Sequence, residues 1–121
     1  VSTPQDLALI DARKGLNMFR KVDVPVLGII ENMSYFICPS CNEQTDIFGH
    51  GGAMKEAEKL WIDFLGSIPL DTEIRKTSDE GKQITEINKS CDQSIQYQKI
   101  AEKVLSRVNT QKKSSPKIIF E

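Results

Sequence analysis

Between Pro25 and Glu31 the chain carries an unbroken apolar run, Val26-Leu27-Gly28-Ile29-Ile30, closed by the polar pair Glu31-Asn32. A short continuous apolar stretch bounded by turn signals reads as a strand covered on both faces, the kind that builds parallel sheets. Asp63–Ile68, ended by Pro69, reads the same way, and Val1-Ser2 reads as the end of a further strand. The segments between are helical in pattern. Thr3 fits a helix N-cap with Pro4 at the first helical position and Asp6 three residues on, as in a capping box. A helix is expected from Pro4 to about Arg20, with Leu7, Ile10, Gly15, Met18 and Phe19 on one face. Ala53–Leu60 is a second helix, with Ala53, Met54, Ala57 and Leu60 at helical spacing. Asp71 to about Glu80 is a short third one closed by Gly81, and Ser90–Val108 is a last amphipathic one bearing Ile95, Ile100, Val104, Leu105 and Val108. Gln83–Asn88 is ambiguous. Strands alternating with helices imply an α/β layered fold with a parallel sheet.

A single domain fits 121 residues, and 27% charged residues suit a soluble one. A formal charge of −1 with no basic stripe argues against a nucleic-acid partner. No apolar run approaches the roughly 20 residues of a membrane helix, and nothing at the start reads as a signal or transit peptide. The chain opens at Val1 without an initiator Met, which leads us to expect a fragment or a truncated gene product. Residues 109–121 read as a polar, flexible tail, with Ile118-Ile119-Phe120 as a small apolar end.

Residues 33–52 show no periodicity and read as a loop of about 20 residues, a length that is usually functional or disordered. It holds the sharpest chemical feature, Cys38-Pro39-Ser40-Cys41. Two intervening residues let both sulfurs converge on one ion, and Pro39 stiffens the turn. With Cys91 the chain has three cysteines, an odd number, which disfavours a disulfide scaffold and favours a reducing compartment. A structural zinc or an iron–sulfur cluster wants four ligands. His50 and Cys91 could complete the set within the chain. The pair could instead be a redox dithiol, although it does not open a helix after a strand. Or two chains could each give two thiolates across a two-fold axis. Spacing alone does not choose among these.

Several blocks together carry a family resemblance. They are Val1-Ser2-Thr3-Pro4-Gln5, Gly28-Ile29-Ile30-Glu31-Asn32-Met33-Ser34, Cys38-Pro39-Ser40-Cys41, Ile47-Phe48-Gly49-His50-Gly51-Gly52-Ala53 and Phe64-Leu65-Gly66-Ser67-Ile68-Pro69-Leu70-Asp71, followed by Arg75 and Ser78-Asp79-Glu80-Gly81. In this order, from Val1 to about Val108, the chain closely resembles the C-terminal half of the Mrp/ApbC/Nbp-type iron–sulfur cluster carriers, in the MinD-like branch of P-loop ATPases. The resemblance implies a three-layer α/β P-loop NTPase fold over residues 1–108. It implies a labile [4Fe-4S] cluster held between two subunits on Cys38 and Cys41, in a homodimer or a heterodimer with a full-length relative, and passed to apo iron–sulfur proteins. It also implies ATP and Mg2+ in the intact family member. Asn32 matches a residue that recognises the adenine edge, and Pro69 one that packs near the base. His50 is read as a loop residue near the cluster, Cys91 as a small buried or half-buried side chain, and Trp61 as packing. The cytoplasm is the expected compartment, or the mitochondrial matrix for an organelle homologue.

One departure is large. Gly81-Lys82 is followed by Gln83 rather than Ser or Thr, and Gly49-His50-Gly51-Gly52 lacks a following lysine in place. No Walker A sequence lies in these residues, so no ATPase activity is expected from this chain alone. The absence of the family's first strands should leave a raw sheet edge. The alternative function from a different class is a zinc-binding structural or protein-interaction module, with Cys38, Cys41 and perhaps His50 shaping a loop for a partner.

Overall fold

The computed structural model describes residues 1–110. The elements run α1 (Asp6–Lys21), β1 (Ile29–Glu31), β2 (Phe36–Ile37), β3 (Gln44–Thr45), α2 (Gly52–Leu60), β4 (Phe64–Ser67), α3 (Thr72–Asp79), α4 (Ile84–Ile87) and α5 (Asp92–Thr110). β1 pairs parallel with β4, in the register Ile29–Phe64, Ile30–Gly66 and Glu31–Ser67, with an irregularity after Ile29. Ser2 forms a parallel bridge to Glu31 on the other side of β1, which is therefore flanked on both edges. Phe64 is half-buried and Leu65 is buried; successive residues point to opposite faces, so β4 is covered on both. The parallel α/β expectation therefore holds. β1 itself begins only at Ile29, and Gly28 just before it lies hard against the neighbouring segment. A β-carbon there would stand 2.5 Å from the Asp63 carbonyl oxygen and 2.8 Å from Leu65 Cγ.

The core gathers Leu9 of α1, Ile29 of β1 and Ala53 and Ala57 of α2, with Ala12, Ile62 and Phe64 packed against them. α5 lies on β4, where Ile100 approaches Gly66. The small residues Ala53 and Ala57, four apart on one helical face, let α2 sit close to the sheet. Arg13 ties α1 to α2 through a hydrogen-bonded ion pair of 2.6 Å with buried Glu56, and this pairing holds the Glu56 carboxyl below its usual range.

Four local expectations are corrected. The first helix begins at Asp6 with Gln5 as its N-cap, not at Pro4 after Thr3. Ser2 is held extended by its bridge to β1, so the chain cannot turn into a helix so soon; the Thr3 hydroxyl donates to Gln5 Oε1 instead. The buried stripe of α1 is Leu9 and Leu16, while Leu7, Ile10, Met18 and Phe19 are exposed. Several apolar residues lie off the stripe that meets the sheet, and periodicity alone did not separate the two sets. Trp61 does not pack: it ends α2 in the left-handed region (φ 55°) and is 92% exposed. Finally, α5 continues through Asn109 and Thr110, which the sequence reading gave to the tail; residues 111–121 and the apolar end at 118–120 lie outside the described residues. Among the described residues no helix is long and apolar enough to cross a membrane.

The contact at Gly28 is testable. Gly28→Ala forces a methyl into backbone and Leu65, so a loss of about 1–3 kcal/mol is expected, as for other overpacked cores. Urea unfolding followed by circular dichroism measures it; an unchanged midpoint would mean that β1 and β4 can part at no cost.

A candidate metal centre on a two-cysteine hairpin

Residues 33–52 are not the structureless loop expected. β2 and β3 form an antiparallel hairpin, with Phe36 opposite Thr45 and Ile37 opposite Gln44. Runs of two residues are too short to show a period of two in sequence, which hid it. The hairpin is joined to the sheet. The Ser34 N–H donates to the Ile68 carbonyl at 3.0 Å, the Leu70 N–H donates to the Tyr35 carbonyl at 2.7 Å, and Phe36 bridges Leu70 in parallel. The ladder of β1 and β4 thus resumes beyond Met33 and carries the cysteines outward from the carboxyl ends of the strands, where α/β folds place their ligands.

Cys38 and Cys41 occupy the hairpin's turn. The Cys38 N–H donates to the Glu43 carbonyl at 3.0 Å and the Asn42 N–H donates to the Cys38 carbonyl at 2.8 Å. Asn42 closes the turn in the left-handed region (φ 58°), which asparagine tolerates well. The Ser40 N–H, then the Cys41 N–H and the Cys41 thiol, hold the Cys38 thiol below its usual value against a smaller opposing effect of desolvation. Hydrogen bonds to sulfur favour the thiolate, the form that ligates metals. Cys41 is exposed and Cys38 half-exposed, so both are open to an incoming ion.

The other candidates fall elsewhere. His50 lies on the return leg, with Nδ1 3.5 Å from Asp46 Oδ2 in an exposed pair. Cys91 precedes α5; its thiol donates to the Asn88 carbonyl and approaches Ser94 Oγ, both at 3.1 Å. Among the described residues no group of three or more His, Cys, Asp or Glu side chains is placed to hold a metal ion. The hairpin therefore offers two sulfurs and no third protein ligand from within these residues.

Asn32 and Pro69 stand at the carboxyl ends of adjacent parallel strands, just beyond the Glu31–Ser67 pair. The Asn32 N–H donates to the Ser2 carbonyl at 2.7 Å, and its side-chain Oδ1 accepts from the Met33 N–H at 3.0 Å. Pro69 lines a cleft of about 240 Å³ with Tyr35, Pro39 and Asp92, between the hairpin and the start of α5. Burial, and then the charge of Asp92, push the Tyr35 hydroxyl up. Sequence reasoning passed over Tyr35, Ser34 and the buried Glu31. Glu31 looked like a strand terminator, and only its burial marks it as more.

Comparison with known proteins follows these features. The family described as NUBPL iron-transfer P-loop NTPase, of the ParA group, matches residues 1–105. The iron-sulfur cluster transfer protein NUBPL of Dictyostelium discoideum is 51% identical over 89% of this chain and 33% of its own length. The iron-sulfur cluster carrier protein of Methanocaldococcus jannaschii is 41% identical over 93% of this chain and 38% of its own. The chain thus spans about a third of the length of these relatives. A solved nucleotide-binding protein of Archaeoglobus fulgidus, in complex with ADP and with cobalt found by PIXE, is 44% identical over 68% of this chain and 34% of its own, with a TM-score of 0.58. The cell division ATPase MinD of Pyrococcus furiosus is 21% identical over 88% of this chain and 40% of its own, with a TM-score of 0.68, a likeness of fold.

The depressed Cys38 thiol carries its own test. Its lowered value means that more thiolate is present at a given pH in the folded chain than in the unfolded one. Iodoacetamide labelling across a pH series, read at Cys38 by mass spectrometry, should reach half-rate at a lower pH in buffer than in concentrated urea. Coincident profiles would show that the turn does not act on the sulfur.

Proposed function

This chain belongs to the NUBPL iron-transfer family of P-loop NTPases, and on that footing we propose that it holds an iron–sulfur cluster on Cys38 and Cys41 and passes it to apo-proteins. The observation that carries the reading is the hairpin turn itself, which holds both cysteines on one tight, backbone-bonded turn with their sulfurs accessible. A [4Fe-4S] cluster takes four thiolates. One chain offers two, so the cluster is bridged by a second chain, either another copy or a full-length relative, across a two-fold axis. Hand-over is ligand exchange: a recipient thiolate replaces Cys38 or Cys41 at an iron, the displaced sulfur takes up the proton that the incoming thiol has lost, and no electron moves.

Nucleotide enters this reading through the longer family members. Asn32 is proposed to meet the adenine edge and Pro69 to pack by the base. The Oδ1 of Asn32 is a carbonyl oxygen with two lone pairs, so its bond to Met33 leaves an acceptor, and its Nδ2 leaves donors, for a base. ATP and Mg2+ need a phosphate loop that these 121 residues do not contain. The compartment is a reducing one, the cytoplasm or the mitochondrial matrix. A second reading, a zinc-binding interaction module, is favoured by the same turn, since two cysteines on a tight hairpin also suit zinc.

Anaerobic reconstitution with iron and sulfide, followed by gel filtration, separates the two. About four irons per two chains in a dimer peak are expected for the cluster. Cys38→Ser or Cys41→Ser should each abolish loading, and Cys91→Ser should leave it intact. A monomer peak without iron that takes up zinc would move the assignment to the module. ATP hydrolysis by the 121-residue chain should equal that of buffer; phosphate release above that level would overturn the assignment of hydrolysis to residues outside this chain.

A further inference from the structure

Glu31 is the most buried charged residue described, 1% exposed, and it takes no part in the roles proposed above. Its two carboxylate oxygens have different partners. Oε1 accepts from the Ser34 hydroxyl at 2.5 Å, and Oε2 accepts from the Ala53 N–H at 2.7 Å. These donors are the two ends of the cysteine-bearing excursion. Ser34 is where the chain leaves for β2, and Ala53 lies in the first turn of α2, where the chain returns. Both are themselves buried, at 3% and 0% exposure. Between Glu31 and Ser34 lies Met33, in the left-handed region (φ 54°), a conformation that a β-carbon disfavours. Such a turn persists only where its surroundings over-determine it.

We propose that Glu31 is a positioning residue for the cysteine hairpin: one buried carboxylate clamps the departing and returning chain and so fixes where Cys38 and Cys41 stand relative to the sheet and to Asn32. A carboxylate suits the task because it offers two acceptors about one side-chain width apart, and because the N-terminal turn of α2 favours a negative charge. The N–H of Ala53 is one of the groups that a helix start leaves unpaired, and Glu31 satisfies it from a different element. The main chain works in the same sense: the Ile68 N–H donates to the Glu31 carbonyl at 2.8 Å, and the Ser34 N–H donates to the Ile68 carbonyl at 3.0 Å. Removing the clamp therefore loosens the hairpin while leaving the β1–β4 pairing in place. The consequence for cargo lifetime rests on the reading of the cysteine pair as ligands; the clamp itself rests on the hydrogen bonds alone.

The test compares Ser34→Ala, Glu31→Ala and Glu31→Gln in the 121-residue chain. Hydrogen–deuterium exchange without metal is read at Cys38 and Leu70, whose N–H groups are bonded within or onto the hairpin, and at Val104 of α5 as a reference. Ser34→Ala removes one end of the clamp and creates no buried charge without a partner, since Ala53 still donates. Hairpin exchange should rise about tenfold relative to Val104, the change set by loss of one hydrogen bond to a charged group. Glu31→Ala should raise it further if the chain stays folded. Glu31→Gln should stay within about threefold of the parent, because its amide oxygen accepts from Ala53 and its NH2 donates to Ser34. An unchanged ratio of hairpin to α5 exchange in Ser34→Ala would overturn the proposal. A second readout is the release of Cd2+ from the pair to a chelator, followed by the thiolate–cadmium charge-transfer band, which should be faster in Ser34→Ala than in the parent. If the parent shows no such band, the carrier reading fails, and the exchange ratio still decides the clamp.

Discussion

One hydrogen-bonded ladder sets the position of everything else in this chain. It opens where the Ile29 N–H meets the Asp63 carbonyl, passes through the bond from Ile68 to Glu31, and continues through Ser34 to Ile68 and Leu70 to Tyr35. The regular strands occupy only its first part. Because the bonds resume after the turn at Met33, the cysteine hairpin takes its direction from the sheet and not from a flexible tether. Two helices, α2 and α3, also open at this end of the ladder, and each leaves N–H groups without partners. The chain answers both with carboxylates: Glu31 for Ala53, and Asp71 for Glu73 and Ile74. The carboxyl ends of β1 and β4 are therefore a place where backbone polarity is concentrated and accounted for, and the candidate site lies just outside it.

Cys38 and Cys91 differ in the hydrogen bonding around their sulfurs. At Cys38 hydrogen bonding from the Ser40 and Cys41 N–H groups of the turn draws the thiol below its usual value. At Cys91 the thiol is a donor, to the Asn88 carbonyl, and it joins a small half-buried network in which the Ser94 hydroxyl also reaches the Asn88 and Ile84 carbonyls. That network locks α4 onto the start of α5. A metal-bound thiolate has no proton to donate, so ligation by Cys91 would forfeit the bond that fixes this corner. The residue type is shared; the donors and acceptors around it decide its use.

Much of this was legible in sequence, and the reasons for the failures are physical. The apolar run at 26–30 announces a parallel strand because burial on both faces removes the alternation seen in half-exposed ones, and Pro69 marks the end of another at 63–68. β1 covers only Ile29–Glu31 of the run at 26–30, and the close approach of Gly28 to Asp63 beside its start is a long-range fact that pattern does not report. The hairpin was missed because its strands are two residues each and pair through backbone groups that side-chain pattern does not report. The face of α1 was misjudged because its apolar residues exceed one stripe, and the choice among them belongs to the sheet. Trp61, expected to pack, stands at the left-handed end of α2, a position that glycine usually fills, and meets solvent. Of the candidate site, Cys38 and Cys41 were visible as a pair. The buried Glu31 that clamps them was not, since a charged residue at the end of an apolar run reads as a terminator unless its partners are known.

The form of the hairpin bears on what kind of metal chemistry suits it. A structural site gains from enclosure, with ligands from several elements drawn together so that loss of the ion unfolds the region. Here the opposite holds. The sulfurs lie on one short turn, Cys41 is exposed, and the turn is closed by its own backbone bonds, with Glu31 bonded to Ser34 at its base. A preformed, open pair keeps the structural cost of losing the ion low, because the hairpin need not refold when its cargo leaves. It also leaves room on the metal's far side, which a second chain can close and an acceptor can reopen. Those are the properties that the proposed transfer requires and that permanent storage does not.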